Sequence, residues 1–470
     1  MEIEQSQVVI LVTTLIFIEV ILIICRRLVS PLNVIILYWY LWLFVSTLGV
    51  GGLYIPSVDI YLVHATFLLS FVIGGIVADE RVKKLKYKNI VPVMQVVNVV
   101  ITRKINNTMF KFFILLFPYT IYLFIQGVLL ILGDYSGLRG SLVSMEDNPI
   151  FSSVLVNYFY YVVLNGLWTM YALFACVSFF IFNEKKHIVM IMIYTGLLSG
   201  IYFSRSYMYY FFVILAWSYL LQIFTRKQGV IKFITRILVG LLCNKKTRVL
   251  SIIFLIIVLG VQIQSVLRTE SGGKKIENVF THVLVKYHTA GFVLFDLELD
   301  DNLSSLNNNS TYGLGMIGGV ERFVALCIKQ LNKDYKPIVA RDSLSKFQQV
   351  GVDSNGIKIR SNALYNIVYT LVRDGRYFAL VFGGIVLGYI SNVHFYIWKN
   401  SLSAYSYAIS IFMFSLMTTS LIRSNLESTS YWICIALLFL LSKLYNSEMR
   451  KYKYIYPVTG NKALSESKIL

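Results

Sequence analysis

The chain has 470 residues, 57% of them hydrophobic and 14% charged, with a mean hydropathy of +0.67 and a formal net charge of +19. Apolar runs of about 18 residues or more recur along it with only 7 prolines to break them, which excludes an ordinary soluble domain and marks a polytopic helical membrane protein. The basic excess does not call for nucleic acid: Arg26–Arg27, Asp79–Lys111, Asn183–His187, Thr225–Arg248, Trp398–Asn400 and the tail after Leu441 hold 26 of the 43 Lys+Arg but 5 of the 24 Asp+Glu, a positive-inside distribution.

In chain order, hydropathy places spans at 7–25, 32–50, 58–78, 112–132, 154–182, 188–204, 207–224, 249–266, 376–393, 404–422 and 429–445. Eleven crossings put the N-terminus outside and the C-terminus inside. The clusters RR, DERVKKLKYK, NEKK and TRKQGVIKFITR with NKKTR then fall after the first, third, fifth and seventh spans, as that count requires. The first segment follows the acidic residues Glu2 and Glu4 and precedes no small-residue cleavage site, so it reads as a retained span. The stretch 90–101 reads as an interfacial helix. Within the spans, Glu19 shares a helical face with Arg26 and calls for a Ser, Tyr or Arg partner on another span, and His64 lies near the outer end of the third.

Three parts result: residues 1–267 with about eight spans, an extracytoplasmic loop over 268–375 with short amphipathic helices, and 376–470 with three spans and a basic tail. Between Arg268 and Arg360 the loop carries 12 Lys+Arg against 10 Asp+Glu and is long enough to fold. Its segment GGVERFVALCIKQL sets Val324, Cys327, Ile328 and Leu331 on one face, suited to lying on the outer leaflet. LSSLNNNSTYGLGMIGG is a Gly/Asn-rich loop able to offer backbone amides to an anion or a sugar. Five scattered cysteines, only Cys327 of them outward, imply no disulfide scaffold, and no Cys/His spacing suits zinc.

The segment IYFSRSYMYYFFVILAWSYLL (201–221) holds a lone cation, Arg205, in a turn at the outer face, where orientation rules do not want it. Arg360, Arg373, Arg376 and Arg423 share that face. One such arginine alone is well explained by lipid phosphate; several, delivered from separate turns, suit a phosphate or diphosphate, which guanidinium forks hold bidentately. Asn362, Tyr365, Asn366, Tyr369 and Arg373 follow helical spacing and form a polar stripe of the kind that holds sugar hydroxyls; an interfacial aromatic belt would account for the tyrosines but not the asparagines. Outward candidates for a general base are His288, Asp296, Glu298 and Glu321, with His288 in KYHTAGF first, beside Tyr287. DLELDD (296–301) reads as a solvated acidic run or a carboxylate pair for a metal.

KYHTAGFVLFD (286–296) opening a large outer loop, NALYNIVYTLVRDGRYFALVFGGIVLGY (362–389) leading into a late span, and SRS (204–206) atop an earlier hairpin together resemble the Wzy-type polymerases of O-antigen and capsular oligosaccharide repeat units. Asn366, Tyr369 and Thr370, then Asp374-Gly375, match that family's late run, but arginines flank Asp374-Gly375 where an aromatic is usual, leaving Asp374 either a helix N-cap or an acid catalyst. The resemblance implies a GT-C-like, inverting, metal-independent glycosyltransferase without cofactor. It would move a growing glycan from undecaprenyl diphosphate onto a new lipid-linked unit at the outer leaflet, with a chain-length-regulating copolymerase as a partner. On that reading Arg205, with Arg360, Arg373, Arg376 or Arg423, meets the charge of the departing diphosphate, while His288 or Glu321 serves the acceptor and Tyr287, Asn362, Tyr365, Asn366 and Tyr369 hold sugar. The rivals are a lipid-linked oligosaccharide flippase or other transporter, for which short outer loops and inverted repeats are wanting, and an outer-leaflet polysaccharide ligase, which would share the arginines. An O-acyltransferase would want a histidine buried in a span, for which His64 alone qualifies.

Overall fold

The computed structural model describes residues 5–84, 91–133, 148–151, 153–202, 204–225, 285–302, 304–308, 310–329, 332, 335, 347–353, 356–361 and 365–455. The apolar runs form helices because in hydrocarbon only a helix satisfies its own backbone groups. They are α1 Gln5–Ile24, α2 Pro31–Ser46, α3 Val58–Lys83, α4 Val91–Gly133, α5 Val154–Ile181, α6 Lys186–Ile201 and α7 Ser206–Phe224. α8 Lys286–Asp300, α9 Gly318–Lys329, α10 Ile367–Ser401, α11 Ala404–Thr419 and α12 Thr429–Ile455 follow. Among the described residues, seven helices are long and apolar enough to cross a membrane, and α2, α6 and α11, of 16 residues each, are apolar but shorter. The expected eighth span, 249–266, lies outside the described residues, as do Asn362 and Leu331.

Local chemistry sets the ends. α2 starts where Ser30 accepts the Asn33 amide and Pro31 takes the first helical position. α5 ends on Asn183 in the left-handed region (φ 61°), with the Phe182 and Glu184 amides returning to the Ser178 carbonyl. Inside α5, Phe159–Leu164 forms a π-helical turn.

The closest helix pair is α3 with α10. A Cβ on Gly74 would stand 2.1 Å from the Ile385 carbonyl oxygen, and one on Gly388 would stand 2.0 Å from that of Phe71. Gly384 and Gly388, four residues apart, thus let the two backbones touch, which is how helices gain contact where lipid competes for apolar side chains. At the far end, Asp79 of α3 accepts the Arg27 guanidinium and Lys83, tying the RR and DERVKK clusters together.

Several expectations are corrected. The stretch 91–101 is not a separate interfacial helix: it is continuous with the fourth span in the 43-residue α4, which runs on through Pro118. Glu19 receives the Asn33 side-chain amide at 3.3 Å rather than a Ser, Tyr or Arg. The boundary expected at 375/376 coincides with a kink in α10, where Gly375 and Arg376 (φ 55°) leave helical geometry between Ile367 and Ser401. The loop is not wholly helical, since β1 Gln348–Val352 pairs antiparallel with β2 Lys358–Ser361, and Leu53 between α2 and α3 bridges to Gly351. A turn with Gly356 at φ 75° and the Asp353 carboxylate on the Ile357 amide closes this hairpin. In α9 Gly319, Arg322 and Ala325 pack against the protein, which leaves exposed Val324 and Cys327, two of the residues expected to face the outer leaflet.

Candidate functional site

α7 begins immediately after Arg205, which is half-buried, and its first two turns gather the site. Spacing does this: Tyr209 and Tyr210 are neighbours in sequence, so their rings leave the helix in different directions. The Tyr209 hydroxyl lies 3.4 Å from His288 Nε2 and 3.3 Å from the Tyr38 hydroxyl. The Tyr210 hydroxyl donates to Asn425 Oδ1 at 3.2 Å. One tyrosine ring therefore faces the candidate base and its neighbour faces the 420–428 turn.

His288 is buried, 4% exposed, with its ring flat on Trp42 at 4.1 Å and Tyr38 and Tyr209 edge-on at 6.3 and 6.1 Å. α8 presents it from an inward face that continues at i+4 and i+7 through Phe292 and Phe295, which enclose His64. Tyr287 is on another face of α8 and is exposed.

The 420–428 turn brings Arg423, exposed, and Glu427, buried. Glu427 accepts the Thr370 hydroxyl at 3.1 Å on one oxygen and the Arg322 guanidinium at 3.4 Å on the other. Burial pulls the Arg322 guanidinium below the usual arginine range; Glu427 opposes this and the charge of nearby Arg423 adds to it. Arg423 also acts electrostatically on Tyr210, and Tyr161, from the π-turn of α5, on both Tyr210 and Arg322. Two guanidiniums from separate outer segments thus stand near one wall of tyrosines, with Glu427 holding one of them. Glu321 opens α9 next to Arg322, half-buried, and its charge reaches that guanidinium.

A chain of buried polar groups sets this arrangement. His64 Nδ1 contacts the Ile60 carbonyl at 2.6 Å, which places the proton there and leaves Nε2 to accept from the Asn366 amide at 2.9 Å. Asn366 caps α10 by accepting the Tyr369 amide, and its carbonyl receives the Thr370 hydroxyl that also faces Glu427. His64, the residue an acyltransferase would need, has both nitrogens engaged in this chain.

The expected polar stripe turns inward. Asn366 is a cap rather than a helical position, Tyr365 stacks on Tyr369 at 4.2 Å, and both rings are buried. Glu298 Oε1 accepts from the Tyr365 hydroxyl at 3.3 Å and from the Gln348 amide at 2.6 Å. Burial, with Tyr369 and Glu298 adding to it, pushes the Tyr365 phenol far above its usual range. Arg373 is buried beside this pair, its charge felt at Tyr365.

Asp374 is neither an N-cap of the helix after the bend nor open to substrate. Its carboxylate takes the Gly315 amide at 2.7 Å, the Met316 amide at 2.8 Å and the Thr311 hydroxyl. The Gly/Asn-rich loop does offer amides to an anion, and that anion is Asp374. Arg376 is exposed and held by the Asn307 side chain at 3.0 Å and its carbonyl at 3.2 Å, and Arg360 is exposed on β2 opposite Gln349. The structure therefore divides the expected arginines: Arg423 stands by Tyr210 and Arg322, Arg205 lies at the start of α7, Arg373 is buried beside Tyr365, and Arg360 and Arg376 belong to the loop surface. Within DLELDD, Asp296 takes the Ser57 amide and hydroxyl while Glu298 takes Gln348 and Tyr365, so the two acids serve different partners.

Sequence reasoning missed Arg322, Glu427, Tyr38, Trp42, Tyr209 and Tyr210. Arg322 stood in a helix read only for its apolar face. Glu427 is an acid in an outward turn otherwise rich in polar neutral residues, and a search for acids opposite the outer arginines would have found it. The chain matches no family model, no curated protein and no solved structure.

Proposed function

We propose that the chain is a Wzy-type membrane glycosyltransferase that polymerises undecaprenyl-diphosphate-linked oligosaccharide units into O-antigen or capsular polysaccharide at the outer leaflet of a bacterial inner membrane, with eleven spans, N-terminus out and C-terminus in. The observation that supports the reading is the α7 corner: Arg205 at its start, Arg423 acting on Tyr210 and on Arg322, and His288 against Tyr209. As the glycosyl bond to the diphosphate breaks, negative charge accumulates on the leaving group, and fixed guanidiniums stabilise it without reorganising. On the other side of the two tyrosines, a neutral His288 accepts the acceptor hydroxyl's proton, oriented by Trp42 and Tyr209. The tyrosine faces supply stacking for sugar rings.

The test is polymerisation of a lipid-linked repeat unit by purified protein. Arg423→Ala and Arg205→Ala should each lower the rate by about a hundredfold or more, as removal of one charge-stabilising donor does. Arg423→Lys should recover little, because a point charge does not replace a fork. Trp42→Ala should lower the rate by removing the ring that holds His288 in place. Normal polymer from both arginine variants, at normal protein levels, refutes the proposal. Transport of the lipid-linked unit across vesicles without polymer would instead favour the transporter.

A further inference from the structure

At the opposite end of the bundle, one helix length down α6 from the Arg205 turn, lies a cleft of about 350 Å³ lined by Arg103 and Asn107 of α4 and by Glu184, Lys185, Lys186 and His187 from the α5–α6 turn. We propose that this cleft is a binding site for a phosphate group, presented by an anionic lipid headgroup or free in solution. The inference goes beyond the glycan chemistry above and does not rest on it.

The walls are built by buried polar bonds. The Asn106 side chain, 0% exposed, donates to the Phe174 carbonyl at 3.0 Å and to the Ser178 hydroxyl at 2.6 Å, fastening α4 to α5. Ser178 is also where the left-handed Asn183 cap closes α5, so the turn carrying Glu184, Lys185 and Lys186 leaves at a fixed angle. His187 is 3% exposed and contacts the Tyr171 hydroxyl through Nδ1 at 3.1 Å. That bond occupies one ring nitrogen and leaves Nε2 as the remaining polar atom of a buried side chain that lines the cleft.

The charge balance favours an anion. Arg103, Lys185 and Lys186 face one acid, Glu184, which already binds Arg103 Nε at 2.9 Å. Lys186 is steadied over the Phe110 ring at 3.7 Å rather than by a carboxylate. α6 starts here with no acidic residue in its first turn and no side-chain cap, so its amide dipoles add positive potential at the same point. Asn107 supplies a neutral donor. A tetrahedral, multiply accepting group answers all of these, and a basic pocket between helices at a membrane surface is the usual seat of an acidic headgroup.

The experiment uses full-length protein in an uncharged detergent. Thermal unfolding is followed against dioctanoyl phosphatidylglycerol, dioctanoyl phosphatidylcholine, and inorganic phosphate balanced against chloride at equal ionic strength. The unfolding midpoint should rise saturably with phosphatidylglycerol and not with phosphatidylcholine. In Lys185→Gln/Lys186→Gln, which alters two exposed side chains, half-saturation should need about tenfold more lipid or higher. Asn107→Asp should abolish the response by placing a carboxylate in the cleft. An equal saturable response to inorganic phosphate, lost in the same variants, upholds the site and assigns it to soluble phosphate. Equal responses to both lipids with none to phosphate, or variants that respond like the native protein, overturn the proposal.

Discussion

Asp374→Ala tests the reading of the 310–317 loop. The native carboxylate, 4% exposed, accepts the Gly315 and Met316 amides and the Thr311 hydroxyl. Hydrogen bonds to a charged group contribute about 1.5–3 kcal/mol each, and three sharing one acceptor do not add fully. Removing the acceptor should therefore cost the closed loop about 3–5 kcal/mol, part of it recovered when the freed amides reach water. The Thr311 amide bond to the Arg373 carbonyl and the Ser310 hydroxyl contact with it remain, so opening is local and the bundle persists. Hydrogen exchange of the 310–317 peptide, read by mass spectrometry in detergent, should accelerate about a hundredfold, since each 1.4 kcal/mol is tenfold. Asp374→Asn keeps one accepting oxygen but turns an amide toward a donor, and should accelerate exchange about tenfold. Exchange in Asp374→Ala at the native rate would show that the carboxylate does not hold the loop, and would return Asp374 to the list of candidate acids.

Gly388→Ala should lower the unfolding midpoint, because its Cβ meets the Phe71 carbonyl oxygen at 2.0 Å and α3 and α10 must part, an overpacking cost of about 1–3 kcal/mol or more. Gly196→Ala in α6, whose Cβ meets nothing within 4 Å, should be neutral or raise the midpoint, and equal behaviour of the two variants would refute the close-packing account. Burial lifts the Asp296 carboxyl above its ordinary 3.8, against the pull of the Ser57 bonds. Its protonated form is thus the one the folded loop prefers: this contribution is complete below 3.8 and fades as pH rises through the raised value. Protection of α8 amides, taken relative to their intrinsic exchange rates, should fall across that acidic window in the native protein and stay constant in Asp296→Asn; identical profiles would remove Asp296 as the titrating group.

The long apolar helices were legible because hydropathy and helix length are local properties. Even there, continuity escaped local reading. The 43-residue α4 runs through the expected break between 91–101 and the fourth span, because a helix ends only where backbone groups find other partners. The hairpin in the loop was hidden because its strands are short and are completed by Leu53, which lies far away in sequence.

For the site, the sequence determined which side chains carry charge and that several arginines lie in the turns grouped at one end of the bundle. It did not determine which of them meet. Helical spacing put Tyr365, Tyr369 and Arg373 on one face, but whether that face opens to substrate or packs against α8 depended on Glu298, nearly seventy residues earlier. Likewise Asp374 looks catalytic beside a glycine until the 310–317 loop folds over it and spends its charge on backbone amides. Only tertiary packing decided that Arg423 approaches Tyr210 and Arg322 while Arg376 turns to Asn307, because proximity between distant segments, unlike helix formation, is set by which buried polar groups can all be satisfied at once.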